Sequence, residues 1–175
     1  MAKRYKKAPG APKENGELKS KIVKWLQESG LYTSVQTQPG VTFTVLGRFP
    51  KFVEAPGQPL PFFVLQPQED QTLITVVANV NLAEPHRTML QGLSDVQRES
   101  FFQDLKFELL FRCQFNFRQD EKTKEYLGVQ LADTVFLDPP LTKDALMRSI
   151  EQVFRTYLFI SWKLQALGLT VELSR

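Results

Sequence analysis

The chain has 175 residues, 42% of them hydrophobic, and a formal net charge of +3, which is enough apolar material for one globular domain with a sizeable core. No apolar run approaches the roughly 20 residues that a membrane-spanning helix requires, which argues against membrane insertion. A single cysteine excludes an internal disulfide and points to a cytoplasmic setting.

The charge is unevenly placed. Residues 1–16 carry Lys3, Arg4, Lys6, Lys7 and Lys13 against Glu14, a balance of +4, so about −1 is left for residues 17–175. The stretch MAKRYKKAPGAPKENG has no apolar segment behind its cations, unlike a secretory signal, and its prolines and glycines predict a disordered basic tail. A nucleic-acid-binding domain shows its cations on a face of the fold, whereas here they sit in the tail. Only weak contact with nucleic acid is expected, through Lys3, Arg4, Lys6 and Lys7.

Residues 17–175 are expected to form a single α+β domain. Leu18, Ile22, Trp25 and Leu26 follow the spacing of one helix face, and Gly30 stands where a helix end favours a left-handed residue, which predicts a helix over 17–29. Pro39-Gly40 is a turn signal between two β-branched runs, the second with Val41, Phe43 and Val45 on one side, and predicts a hairpin. KFVEAPGQPLP cannot be a central strand and reads as a long loop. PFFVLQ and TLITVVANV read as two further strands, the second so apolar that it belongs in the middle of a sheet.

The period then changes. Ser94 followed by Gln97 fits a capping box, with Phe102, Leu105 and Leu109 along one face of a helix over 95–112. Cys113, Phe115 and Phe117 alternate with Gln114, Asn116 and Arg118 as in a half-buried strand. QDEKTKE makes a hairpin loop, YLGVQLADTVFL returns as its partner, and Asp138-Pro139-Pro140 ends it. Thr142 is placed to cap a last helix whose stripe of Leu146, Ile150, Val153, Tyr157, Leu164 and Leu167 runs to Gly168. The pairs Asp144/Arg148 and Glu151/Arg155 mark its solvated face. Its length exceeds what a small domain needs, so its end is free to meet a second copy.

The order helix, three or four strands, helix, two strands, helix predicts a two-layer fold with one antiparallel sheet of about five to six strands covered by helices. The phrases SKIVKWLQESGL, ELLFRCQFNF and DPPLTKDALMRSIEQVF, together with this order, resemble the type III secretion chaperone-like superfamily, which includes YbjN-like proteins, over residues 17–168. The resemblance implies a small homodimer that binds an extended polypeptide without catalysis. The secretion chaperones tend to be acidic, and this near-neutral fold departs from them there.

Chemistry-bearing residues are few. A reactive cysteine needs a base, a cation or a helix N-terminus to hold its thiolate; Cys113 sits at a helix C-terminus, where the dipole disfavours an anion, and reads as core. Phe115 and Phe117 would need interleaved cations on an exposed face to stack bases, and Arg118 alone is present. His86 is the only histidine, and zinc wants three or four His, Cys or carboxylate ligands. There is no phosphate loop, nucleophile elbow or HExxH. Asp133 and Asp138 flank the last strand and would matter only in a cleft shared with His86. No catalytic residue, metal or cofactor is therefore assigned. GRFPKFVEAPGQPLPFF combines Arg48, Phe49, Lys51 and Phe52 in a loop with exposed aromatics beside Arg, a composition favoured where proteins meet. The expected function is a non-enzymatic, homodimeric protein-binding or chaperone-like module with a polypeptide partner; the alternative is a nucleic-acid-associated accessory protein using the tail.

Overall fold

The computed structural model describes residues 12–49 and 60–173. Ten elements follow in chain order: α1 (Pro12–Glu28), β1 (Tyr32–Gln36), β2 (Val41–Arg48), β3 (Pro61–Pro67), β4 (Leu73–Asn81), α2 (Glu84–Gly92), α3 (Asp95–Leu109), β5 (Gln114–Gln119), β6 (Tyr126–Phe136) and α4 (Lys143–Leu173). The strands form one antiparallel sheet in the order β1-β2-β3-β4-β6-β5. The α+β class and the six strands match the expectation. Among the described residues, no helix is long and apolar enough to cross a membrane.

Local signals set most boundaries. Gly30 has φ +68 and closes α1, its N–H donating to Gln27 O at 3.0 Å while Leu31 N–H reaches Leu26 O at 2.9 Å. This is the left-handed helix end for which only glycine is free of a Cβ penalty. Gly40, φ +75, turns β1 into β2 as expected. At the head of α3 the Ser94 hydroxyl accepts from Gln97 N–H at 3.3 Å, and the Gln97 side chain accepts from Ser94 N–H at 3.1 Å.

Several boundaries differ from the sequence reading, among them the end of α3, at Leu109 and not near Arg112. The first helix begins at Pro12, ahead of the expected start near Glu17, and the last ends at Leu173 rather than at Gly168. AEPHRTML, for which no helix of its own is expected, forms the separate helix α2, with Pro85 in its first turn, where the missing N–H has no intrahelical acceptor to lose. Glu151 and Arg155 pair at 2.6 Å, whereas Asp144 and Arg148 are not among the ion pairs of the described residues.

The core fills one face of the sheet only. Phe43, Val45, Phe62, Val64, Ile74, Val76, Ala78, Val129 and Leu131 are buried there, against Ile22 and Leu26 of α1, Phe102, Leu105 and Leu109 of α3, and Leu146, Ile150, Val153, Ile160 and Leu164 of α4. Strand register gives the other face its composition. Leu46 sits opposite Phe63, which sits opposite Val77, which sits opposite Ala132. Leu46, Phe63, Leu65 and Val77 are half-buried and stand outside the helix-covered core.

Candidate functional site

The residues picked from the sequence scatter over this frame. Arg48 ends β2 and is exposed. Phe49 is 2% exposed: its ring lies between Phe62 and Phe154, with centroids 4.7 Å from each. It is a core residue and not an exposed anchor, because the chain turns inward after Arg48, with Phe49 N–H donating to Leu60 O at 3.0 Å. Lys51 and Phe52 lie outside the described residues, as do the tail residues Lys3, Arg4, Lys6 and Lys7.

The titratable candidates do not meet. β4 and β6 are antiparallel, with Asn81 opposite Gly128 and Leu73 opposite Phe136. His86, in α2 just past β4, is therefore at one end of the sheet and Asp138, just past β6, at the other. Asp133 lies between them, opposite Val76 on the covered face. No group of three or more His, Cys, Asp or Glu that could hold a metal occurs among the described residues.

Cys113 is half-buried and packs against the core with Phe115 and Phe117. Burial pushes its thiol above the ordinary value of 9.0, outweighing the opposing hydrogen bond to the Thr156 side chain. A thiol held neutral is a poor nucleophile. Phe117 meets Phe102 edge-on at 5.4 Å, and Lys106 Nζ stands 5.9 Å from the Phe117 ring centroid. These rings are a structural wedge between α3 and the hairpin of β5 and β6, with little face left for a stacked base.

The feature that sequence reasoning missed is the outer side of α3 and of the turn that follows it. Phe102, Leu105 and Leu109 point into the core, yet Phe107, Leu110 and Phe111 are 65, 68 and 77% exposed. Phe107 and Phe111 contact each other edge-on at 5.4 Å. A cluster of exposed apolar residues of this kind signals contact with something beyond its own fold. The signal was available in SFFQDLKFELLF, whose apolar residues outnumber the positions of one face.

This patch is tied to α4. Lys163 of α4 pairs with Glu108 of α3 at 2.6 Å, and the Arg112 guanidinium lies 3.9 Å over the Phe159 ring. The chain passes from Phe111 almost directly into β5, an edge strand. Its segment Gln114–Arg118 pairs with β6 without irregularity and contains no proline or lysine, two of the devices that shield natural edges. An apolar patch and an open strand edge thus adjoin.

A protein-family model described as "Uncharacterized conserved protein (DUF2299)" matches residues 18–164. Among solved structures, an uncharacterized protein from Methanothermobacter thermautotrophicus is similar with a TM-score of 0.74 and 24% identity, covering 85% of this chain and 96% of that one. That likeness shows the fold. YbjN from E. coli, expected from the sequence phrases, aligns with a TM-score of 0.44 and 10% identity over 86% of this chain and 91% of its own. No curated protein matches.

Proposed function

From a chain that belongs to the DUF2299 family, with apolar residues bare on α3, we propose a non-enzymatic polypeptide-binding module that works as a homodimer. The observation that carries the reading is the exposed triple Phe107, Leu110 and Phe111 beside the open edge of β5. A second copy is the favoured occupant. An edge strand pairs antiparallel with its own copy about a two-fold axis, the symmetry of most homodimers. The triple is flanked by both signs of charge, Asp104 and Glu108 against Lys106 and Arg112. The half-buried face bearing Leu46, Phe63, Leu65 and Val77 then remains for an extended segment of another polypeptide.

Sedimentation equilibrium over micromolar to near-millimolar concentrations tests the dimer. The expected mass is twice the 20.1 kDa of one chain, falling to one chain in Phe107→Glu/Phe111→Glu with its circular dichroism unchanged. A wild-type chain that stays single throughout overturns the dimer. Panels of extended apolar peptides test the partner: binding that Phe63→Ser/Leu65→Ser abolishes is expected, and no binding to any peptide refutes a polypeptide-binding role.

A further inference from the structure

A second feature lies at the other end of α3, away from the apolar patch. Between α2, the first turn of α3 and the tip of the β5–β6 hairpin is a cavity of about 400 Å³. Its walls bring together three cations from three elements: Arg87 of α2, Arg98 of α3 and Lys124 of the hairpin. In sequence these are far apart, and only the antiparallel return of β6 beside β4 unites them. Tyr126 lines the same cavity, its ring stacked on Phe102 at a centroid distance of 3.6 Å.

The nearby acids are already engaged. Glu84 and Asp95 each hold the Nη2 of Arg87 and Arg98, one turn back on the same helix, but neither lines the cavity and their side chains are 75 and 92% exposed. Glu125, the acid among the lining residues, accepts from Gln91 Nε2 at 2.9 Å, which ties α2 to the hairpin. The Asp120 carboxylate is spent on the turn, accepting from Thr123 N–H at 2.8 Å and Lys122 N–H at 2.9 Å. Lys124 itself is in the left-handed region at φ +58, fixed by its N–H bond to Asp120 O at 3.0 Å. Arg87 Nε, shut off from solvent, has no hydrogen-bond partner.

We infer that this cavity binds the phosphoryl end of a small organic phosphate, held by Arg87, Arg98 and Lys124. Guanidinium groups match phosphate oxygens with paired, charge-assisted donors. The volume lies in the range of small-molecule sites and leaves room beside a phosphate for an organic body against Tyr126. The reading is independent of the dimer proposal.

The test is a proton–nitrogen NMR titration of the full chain with three probes: inorganic phosphate, glycerol 3-phosphate and adenosine 5′-monophosphate. Saturable shifts at the amides of Gln91, Thr123 and Lys124 are expected, tighter for at least one organic phosphate than for phosphate. Arg87→Gln/Arg98→Gln should weaken that binding about tenfold or more. Should that variant lose its fold, Lys124→Asn reports instead, since asparagine tolerates the left-handed backbone. The inference is overturned if no probe shifts these amides, if shifts are confined to residues 1–16, if inorganic phosphate binds as tightly as both organic probes, or if the folded variant binds like wild type.

Discussion

α4 and α3 pack on the same sheet and teach opposite lessons. α4 keeps its fully buried apolar residues, Leu146, Ile150, Val153, Ile160 and Leu164, on one stripe, and its exposed positions include Arg148, Glu151 and Arg155. Even its polar Thr156, 1% exposed, is satisfied by donating to Gln152 O at 2.8 Å. Two residues of α4 depart from this: the Ser149 hydroxyl is buried without a partner, and Trp162 is 64% exposed. α3 buries Phe102, Leu105 and Leu109 but leaves Phe107 bare, as are Leu110 and Phe111 in the turn behind it, so this segment is explained only in part by its own fold. The difference separates residues that specify structure from residues that are free to specify a contact.

Adjacent residues at the C-terminal end of α3 give the sharpest way to break this comparison. Leu109 is fully buried and Leu110 is 68% exposed. Leu109→Ala should cost about 2–5 kcal/mol through lost burial and the cavity left behind, whereas Leu110→Ala should stay within about 0.5 kcal/mol at concentrations too low for association. Denaturant melts of the two variants measure both. Comparable losses would mean that the outer side of α3 is structural after all.

The two faces of the sheet allow a smaller version of the same contrast. Val76 is fully buried on the covered face, and its chain neighbour Val77 is half-buried on the other. Val76→Thr places an unpartnered hydroxyl in the core and should cost about 1–3 kcal/mol. Val77→Thr, at a half-buried position and with a residue of equal β preference, should cost less than about 1 kcal/mol. Equal thermal shifts would show that the second face is as dry as the first.

What was legible in the sequence was local. The Ser94–Gln97 box, Gly30, Pro39-Gly40 and the alternation around Phe115 each act over a few residues, and each produced the expected element. α2 was not read from the sequence, and its Pro85 stands in the one turn that accepts a proline. Phe49 was misplaced because its proline-rich surroundings suggest exposure, while its ring is claimed by Phe62 and Phe154, partners 13 and 105 residues away in the chain. The cavity cations were invisible for the same reason: Arg87 and Lys124 meet only through the strand order, which no local pattern encodes.

Cys113 offers the most delicate probe, because it follows the exposed Phe111 by two residues and yet packs with the core. Burial favours its neutral thiol and pushes its titration above 9.0. The unfolded chain, whose thiol keeps the ordinary value, ionises first as pH rises. The group's contribution to stability is therefore complete below the unfolded thiol value and is lost as pH climbs through the higher folded value. Since the thiolate is the attacking species, iodoacetamide should alkylate folded Cys113 more slowly than the same cysteine in urea at neutral pH, with the folded rate profile displaced to higher pH. A folded thiol that reacts as fast as the unfolded one would place Cys113 with Phe111 on the bare side of the boundary and move the edge of the core inward by one strand.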